Sequence, residues 1–197
     1  ARLQCRTRLR TRDGKTALML AVEKGHSHAV RRLLEITNDL EAKDKDGRTA
    51  LLVAADHGNV DAMELLLAAD ADVAATDHDG KTALMLAVEK GHSHAVRRLL
   101  EITNDVEAKD QRRKALLLQR RKTLLLHMRT ALLLTADHGN VDALELLLAD
   151  VAATDHLKAD INIPNIDGAT PLFLASRNGH VHVVEALGRL RADVDTA

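Results

Sequence analysis

The chain has 197 residues, 46% of them apolar but with Phe173 as the only aromatic, and its 28 basic and 29 acidic residues leave a net charge of −1. That is enough apolar content for a folded protein, built from Ala, Leu and Val, which suits helices packed closely side by side. The lone Cys5 excludes an internal disulfide and zinc-type cysteine pairing and fits a reducing compartment, cytoplasm or nucleus; no apolar run approaches the roughly 18 residues needed to span a bilayer, so no membrane partner is expected.

The first twelve residues, ARLQCRTRLRTR, hold five arginines and no acid. They lack the apolar stretch of a secretory signal and read as a basic N-terminal segment, 1–12. A unit then begins at Asp13. Residues 13–44 and 79–110 match at 31 of 32 positions, differing only where Leu40 is replaced by Val106. One structural unit is therefore used twice, and repetition sets the architecture.

Within the unit, Thr16 can cap a helix opening at Ala17, with Leu18, Leu20 and Ala21 near one face. Gly25 ends that helix, where a left-handed residue costs little. His28 to Glu35 forms a second helix with Ala29, Val30, Leu33 and Leu34 inward and Arg31, Arg32 and Glu35 towards water. Leu40–Asp46 turns the chain into the next unit. Thr16, Thr49 and Thr82 are spaced by 33 residues, so residues 13–110 make three regular repeats. Helices of about two turns are marginal alone and must stack to bury their apolar faces.

The period breaks twice. Gln111–Leu126, QRRKALLLQRRKTLLL, is an octad written twice inside a basic, Leu-rich insertion, 111–128. Eight residues advance about 80° beyond two full turns, so its leucines form no single stripe. It is expected to be helical, with Arg112, Arg113, Arg120 and Arg121 exposed. A fourth repeat occupies 129–156. The second break, Ala149–Asn165, reads as a truncated unit bridged by an irregular loop, followed by the last repeat within 157–197. Missing helices remove buried apolar area, so this junction is expected to be the weaker and the last repeat to fray first.

The phrases DGKTALMLAVEKGHSHAVRRLL, DGRTALLVAADHGNVDAMELLL and DGATPLFLASRNGHVHVVEALG closely resemble the ankyrin consensus. The resemblance covers 13–110 without a gap and resumes at 129–156 and 157–195. It implies an all-α solenoid of stacked helix-turn-helix units with helix pairs starting near Thr16, Thr49, Thr82, Thr130 and Thr170, irregular near 111–128 and 149–166. The sequence departs from the family where a Gly ends the second helix: Thr37, Asp70, Thr103 and Arg191 stand there. Those turns are expected to be shifted or strained, with Asn38 or Asn104 taking the left-handed role.

What the resemblance implies about function is a non-catalytic protein-binding scaffold, with contacts from turn tips and inner helices. Carried over by position, the inner-helix pairs are Glu23/Lys24, Asp56/His57, Glu89/Lys90, Asp137/His138 and Arg177/Asn178. The turn tips are Lys15, Lys45, Arg48, His78, Lys81 and Arg129. The alternating charge predicts a polar partner surface of mixed sign. The scarcity of aromatics removes the usual interface anchors, which argues for modest affinity or a large footprint.

Other chemistry is poorly supported. His26-x-His28, His92-x-His94 and His180-x-His182 recur at one repeat position, but successive repeats lie about 10 Å apart, too far to share a metal. The pairs Asp44/Asp46 and Asp77/Asp79 sit at periodic turns, where Asp is a favoured turn residue. No catalytic motif and no cofactor are expected. The basic segments leave three readings open: phosphate contacts on nucleic acid or another anionic surface, an acidic protein partner, or no functional role. Twelve of the 28 basic residues lie in 1–12 and 111–130, so the remaining 16 face all 29 acids. Self-assembly of near-identical units is a further alternative.

Overall fold

The computed structural model describes residues 10–37, 39–104, 128–153 and 161–189. The described residues are helical, with turns and hairpin-like links and no strand. In chain order the helices are α1 Ala17–Glu23, α2 Ser27–Ile36, α3 Ala50–Asp56, α4 Val60–Ala68, α5 Ala83–Glu89, α6 Ser93–Asn104, α7 with described residues 128–138, α8 Val141–Ala153, α9 Pro171–Arg177 and α10 Val181–Arg189. They alternate between short inner helices (α1, α3, α5, α7, α9) and outer helices.

The punctuation is chemical. Thr16, Thr49, Thr82 and Thr170 each cap an inner helix, their hydroxyls accepting from the backbone N–H three residues on at 3.2–3.4 Å. Pro171 follows Thr170 at the first helical position, where its missing N–H costs nothing. A left-handed glycine then closes the inner helix, as Gly25 does at φ 71°. The link into each inner helix is a tight loop built on one oxygen. Asp44 Oδ1 accepts from the N–H groups of Asp46 (3.0 Å) and Arg48 (2.8 Å). Asp77 does the same for Asp79 and Lys81, and Asn165 for Asp167 and Ala169. Both aspartates are buried, and the bonds explain why the carboxylates can be there.

The chain divides into two compact units, residues 1–90 and 91–197. In the first, α1, α3 and α5 lie in succession, and their Met19, Val22, Leu51, Leu52, Val53, Leu86 and Val88 are buried. Each fully buried Leu, Val or Met adds about 1.5–3 kcal/mol, which is what makes two-turn helices persist. Loop tips are stitched as well. Lys45 N–H donates to Asp13 C=O and His78 N–H to Asp46 C=O, both at 3.0 Å. In the second unit α7, α8, α9 and α10 share one core of Leu132, Ala136, Leu144, Leu148, Leu174, Val183 and Leu187, with Ile161 packed against it.

Repeats one and three keep the same boundaries at both inner helices and at the start of both outer helices; only α6 runs on, to Asn104 where α2 stops at Ile36. Several expectations need correction. Leu20 and Ala29 are exposed and Leu33 and Leu34 only half-buried, because among the described residues α1 and α2 are the first helix pair and no earlier pair packs against them. Thr37 is extended (φ −97°, ψ 141°), not left-handed, and Thr103 lies inside α6. Among the described residues at these positions only Asp70 takes the left-handed conformation, at φ 65°, which its short polar side chain tolerates. Residues 149–153 continue α8 instead of looping. Thr130 lies within α7 and does not start it: no Asp-Gly turn precedes it, and Met128 and Arg129 extend a helix readily. The expectations for residues 111–127, Asn38 and Arg191 fall outside the described residues.

Candidate functional site

The residues singled out from sequence fall on two kinds of place, loop tips and inner-helix ends, and in the first unit the fold joins them. The residue before each capping Thr lies at the tip, and the residue eight positions later ends the inner helix. One inner helix brings them together. Lys15 Nζ lies 2.6 Å from Glu23 Oε2, Arg48 Nη1 3.1 Å from Asp56 Oδ2, and Lys81 Nζ 2.6 Å from Glu89 Oε2. Further cations gather at the acids. Lys24 stands 3.3 Å from Glu23 and Lys90 3.9 Å from Asp56. Asp56 therefore links the second repeat to the third. The three carboxylates are half-buried, while Lys24 and Lys90 are exposed.

This row is electrostatically set. The hydrogen bond from Lys15 pulls the Glu23 carboxyl below its usual range, against the opposing effect of burial and with help from Lys24. Lys15 is raised above its ordinary value, chiefly by the same bond, and Lys81 is raised by its bond to Glu89. His57 Nδ1–H donates to Val53 C=O at 2.9 Å, closing its helix. Lys45 and His78 are exposed at the tips. There the His78 ring lies over Gly47, where a Cβ would meet ring and backbone atoms within 3 Å.

The second unit arranges the same positions differently. Arg129, expected at a turn tip, is helical and reaches Pro164 C=O at 2.9 Å. Asp137 is instead engaged by the following repeat. Asn178 Nδ2 donates to both its C=O and its Oδ1 at 2.9 Å, His180 Nε2 donates to its C=O at 2.9 Å, and Arg177 lies 3.4 Å from Oδ1. His138 Nδ1–H turns back to Leu134 C=O. The recurrent histidines stay apart, and among the described residues no three His, Cys, Asp or Glu side chains converge as metal ligands would. No described helix is long and apolar enough to cross a membrane.

Sequence reasoning placed the residues but not their pairing. The signal was present: Lys15/Glu23, Arg48/Asp56 and Lys81/Glu89 are opposite charges eight apart at one repeat position. It also missed Asn59, which caps α4 through Ala62 N–H and donates to Val22 C=O of the preceding repeat at 3.0 Å.

The family description "Ankyrin repeats (3 copies)" matches residues 2–77 and 114–197, and "Ankyrin repeat" matches 79–111. No curated protein matches the chain. Nearly every residue falls inside these matches, and the helix pairs, Thr caps and left-handed glycines recur in the same register. The chain belongs to the ankyrin repeat family.

Proposed function

We propose that the chain is a non-catalytic scaffold that binds another protein through the loop tips and inner-helix ends of its repeats. Ankyrin repeats are generally protein–protein interaction modules. The observation that carries the reading to a site is the ion-paired row of the first three repeats. Equivalent positions in three successive repeats carry charged, partly exposed side chains held in fixed positions by one another. Side chains already ordered lose less freedom on binding, which lowers the entropic cost of complex formation. Five cations (Lys15, Lys24, Arg48, Lys81, Lys90) stand against three carboxylates (Glu23, Asp56, Glu89), and Asp13, Asp46 and Asp79 lie at the tips. The partner surface is accordingly polar and of mixed sign.

The test is affinity capture with quantified recovery, comparing the intact chain with two variants of equal stability. Lys24→Glu with Lys90→Glu changes the row; Arg31→Glu with Glu64→Lys changes exposed outer-helix positions. Partners lost with the first variant and retained with the second support the site. Equal recovery by both variants sinks it.

A further inference from the structure

We propose that Asn178–Gly179 is a site of self-modification: it deamidates when the repeat of α9 and α10 opens, and the product undoes the tie to Asp137, so that an opening becomes permanent. The proposal does not depend on the scaffold reading, because it concerns a contact inside the second compact unit and no partner surface.

The chemistry is carried by two neighbours in sequence. A glycine closes each inner helix, and the residue before it is Lys24, His57, Lys90, His138 or Asn178. Asn178 is the chain's one asparagine followed by glycine. Asn59 and Asn140 are followed by valines, whose branched side chains crowd the next nitrogen. Glycine leaves its own nitrogen uncrowded. On losing its proton to solvent, the Gly179 nitrogen can attack Asn178 Cγ. The new N–Cγ bond closes a five-membered imide, the Cγ–Nδ2 bond breaks, and the amide nitrogen takes up a proton and leaves as ammonia. Water then opens the ring at either carbonyl, giving aspartate or isoaspartate at 178. Only water is consumed, and nothing is oxidised or reduced.

The docked repeat holds the two reacting groups apart. Asn178 caps α9 with ψ −2°, which sets the Gly179 nitrogen beside the Asn178 nitrogen, whereas ring closure needs it alongside Cβ. The Gly179 N–H also donates to Ser176 C=O at 3.2 Å. The amide is anchored at both ends: Nδ2 donates to Asp137 C=O and Oδ1, each at 2.9 Å, and Oδ1 accepts from Arg177 Nε at 3.3 Å. Turning the amide towards Gly179 breaks the tie between repeats, and rotating ψ undoes the closing turn. The reaction therefore runs through a locally open state.

The product cannot take its old place. Both bonds to Asp137 came from the NH2 group, and a carboxylate has no hydrogen to give. Asp137 C=O and Oδ1 would then face an acceptor, with two carboxylates side by side. Isoaspartate does more, since its main chain is one carbon longer and moves Gly179 from the φ of 74° that closes α9. His180 and Arg177 alone are left to hold Asp137. The other four inner-helix ends carry Lys or His before the glycine, so the change is confined to one junction.

Ageing the intact chain in mildly alkaline buffer, with and without denaturing urea, tests it. Peptide mapping by mass spectrometry reads aspartate and isoaspartate at 178. Conversion is expected in urea and should be at least about tenfold slower without it, as for a reaction through a minor open state. Asp137→Ala, which removes one of the two acceptors, should convert severalfold faster than the intact chain in buffer; if circular dichroism shows that it does not fold, sub-denaturing urea on the intact chain replaces it. Asn178→Asp should speed amide exchange in α9 and α10 and leave α3 and α4 unchanged, and the aged chain should show the same pattern. No conversion in urea overturns the proposal. So do equal rates with and without urea, an Asp137→Ala chain that converts no faster, or an Asn178→Asp chain that exchanges like the intact one.

Discussion

The first three repeats and the fourth place an acid at the same point, the end of the inner helix, and hold it in different ways. Glu23, Asp56 and Glu89 are each paired with a cation from their own loop tip. Asp137 has no such partner, because the chain before it lacks the Asp-Gly turn and Arg129 bonds Pro164 instead. The next repeat supplies Asn178, His180 and Arg177 in its place. In the first region the acid is held mainly within its own repeat, with Lys90 of the third repeat also 3.9 Å from Asp56, and the tips are joined by backbone bonds such as His78 N–H to Asp46 C=O. In the second it fastens one repeat to another. The same position is thus paired chiefly with its own loop tip in one region and tied to the next repeat in the other, which is why the proposed binding row is put on the first three repeats.

The largest effect comes from attacking each region's tie through the glycine beneath it. Gly47 has φ 78°, and a Cβ there would meet the His78 ring at 2.5 Å and the His78 backbone nitrogen at 2.8 Å. Gly47→Ala should destabilise by about 2–4 kcal/mol, combining left-handed strain with a clash that backbone cannot avoid. In Gly139→Ala the nearest atoms a Cβ would meet are those of the His180 ring. That ring can rotate at the cost of its bond to Asp137, so about 1–3 kcal/mol is expected. Gly80→Ala, with open space around it, should show only the conformational cost of about 1–2 kcal/mol. Urea midpoints measure all three, and a Gly47 effect no larger than that at Gly80 would show that the stitched tips add nothing.

A smaller effect tests what the regions share. Asp77 and Asn165 build their loops with the same two bonds from one oxygen. Asp77→Ala leaves two N–H groups without their acceptor and should cost about 1–3 kcal/mol, whereas Asp77→Asn keeps the acceptor and should cost about 0.5 kcal/mol or less. Equal losses in urea denaturation would mean that the charge, not the loop geometry, is what matters at this position.

Asp137→Ala and Glu23→Ala compare the two uses of the acid directly. The first should cost about 1 kcal/mol and speed amide exchange in α9 and α10, since it loosens a tie between repeats. The second removes a partly exposed ion pair and should cost about 0.5 kcal/mol, with exchange unchanged beyond the first repeat. Matching exchange patterns would remove the distinction between the regions.

Much of this fold was legible in the sequence because the repeat states it several times over. Thr16, Thr49, Thr82 and Thr170 cap helices where the 33-residue spacing and its extension put them. Where the period is interrupted, local propensity prevailed over family register: α7 runs through Thr130 and α8 through Ala153. Burial was misjudged at Leu20 and Ala29 because periodicity marks an apolar face without saying whether a neighbour covers it. The candidate site was legible as positions only. Pairing across eight residues depends on how a loop tip folds over its helix, which neither helical nor strand periodicity encodes.

The smallest effect is the dependence of the ion-paired row on pH. Glu23 is held below its ordinary value of 4.5, first by the hydrogen bond from Lys15. Between its folded and unfolded values the unfolded chain binds more protons, so stability rises with pH there. The contribution is fully present above 4.5 and is lost as pH falls through the lowered folded value. Lys15 and Lys81 are raised above 10.5 by their bonds to Glu23 and Glu89. Their contribution is complete below 10.5 and disappears as pH rises through the raised values. Neither limb should exceed about 1 kcal/mol, because the groups are partly solvated and screened by salt. Glu23→Gln should flatten the acid limb of the urea midpoint against pH, and Lys81→Met the alkaline limb, each by that small amount. Asp137→Asn should leave the alkaline limb untouched, since no lysine holds that acid. An alkaline limb that persists in Lys15→Met/Lys81→Met would place its origin outside the row, and the ordered charges there would then be no more than neighbours.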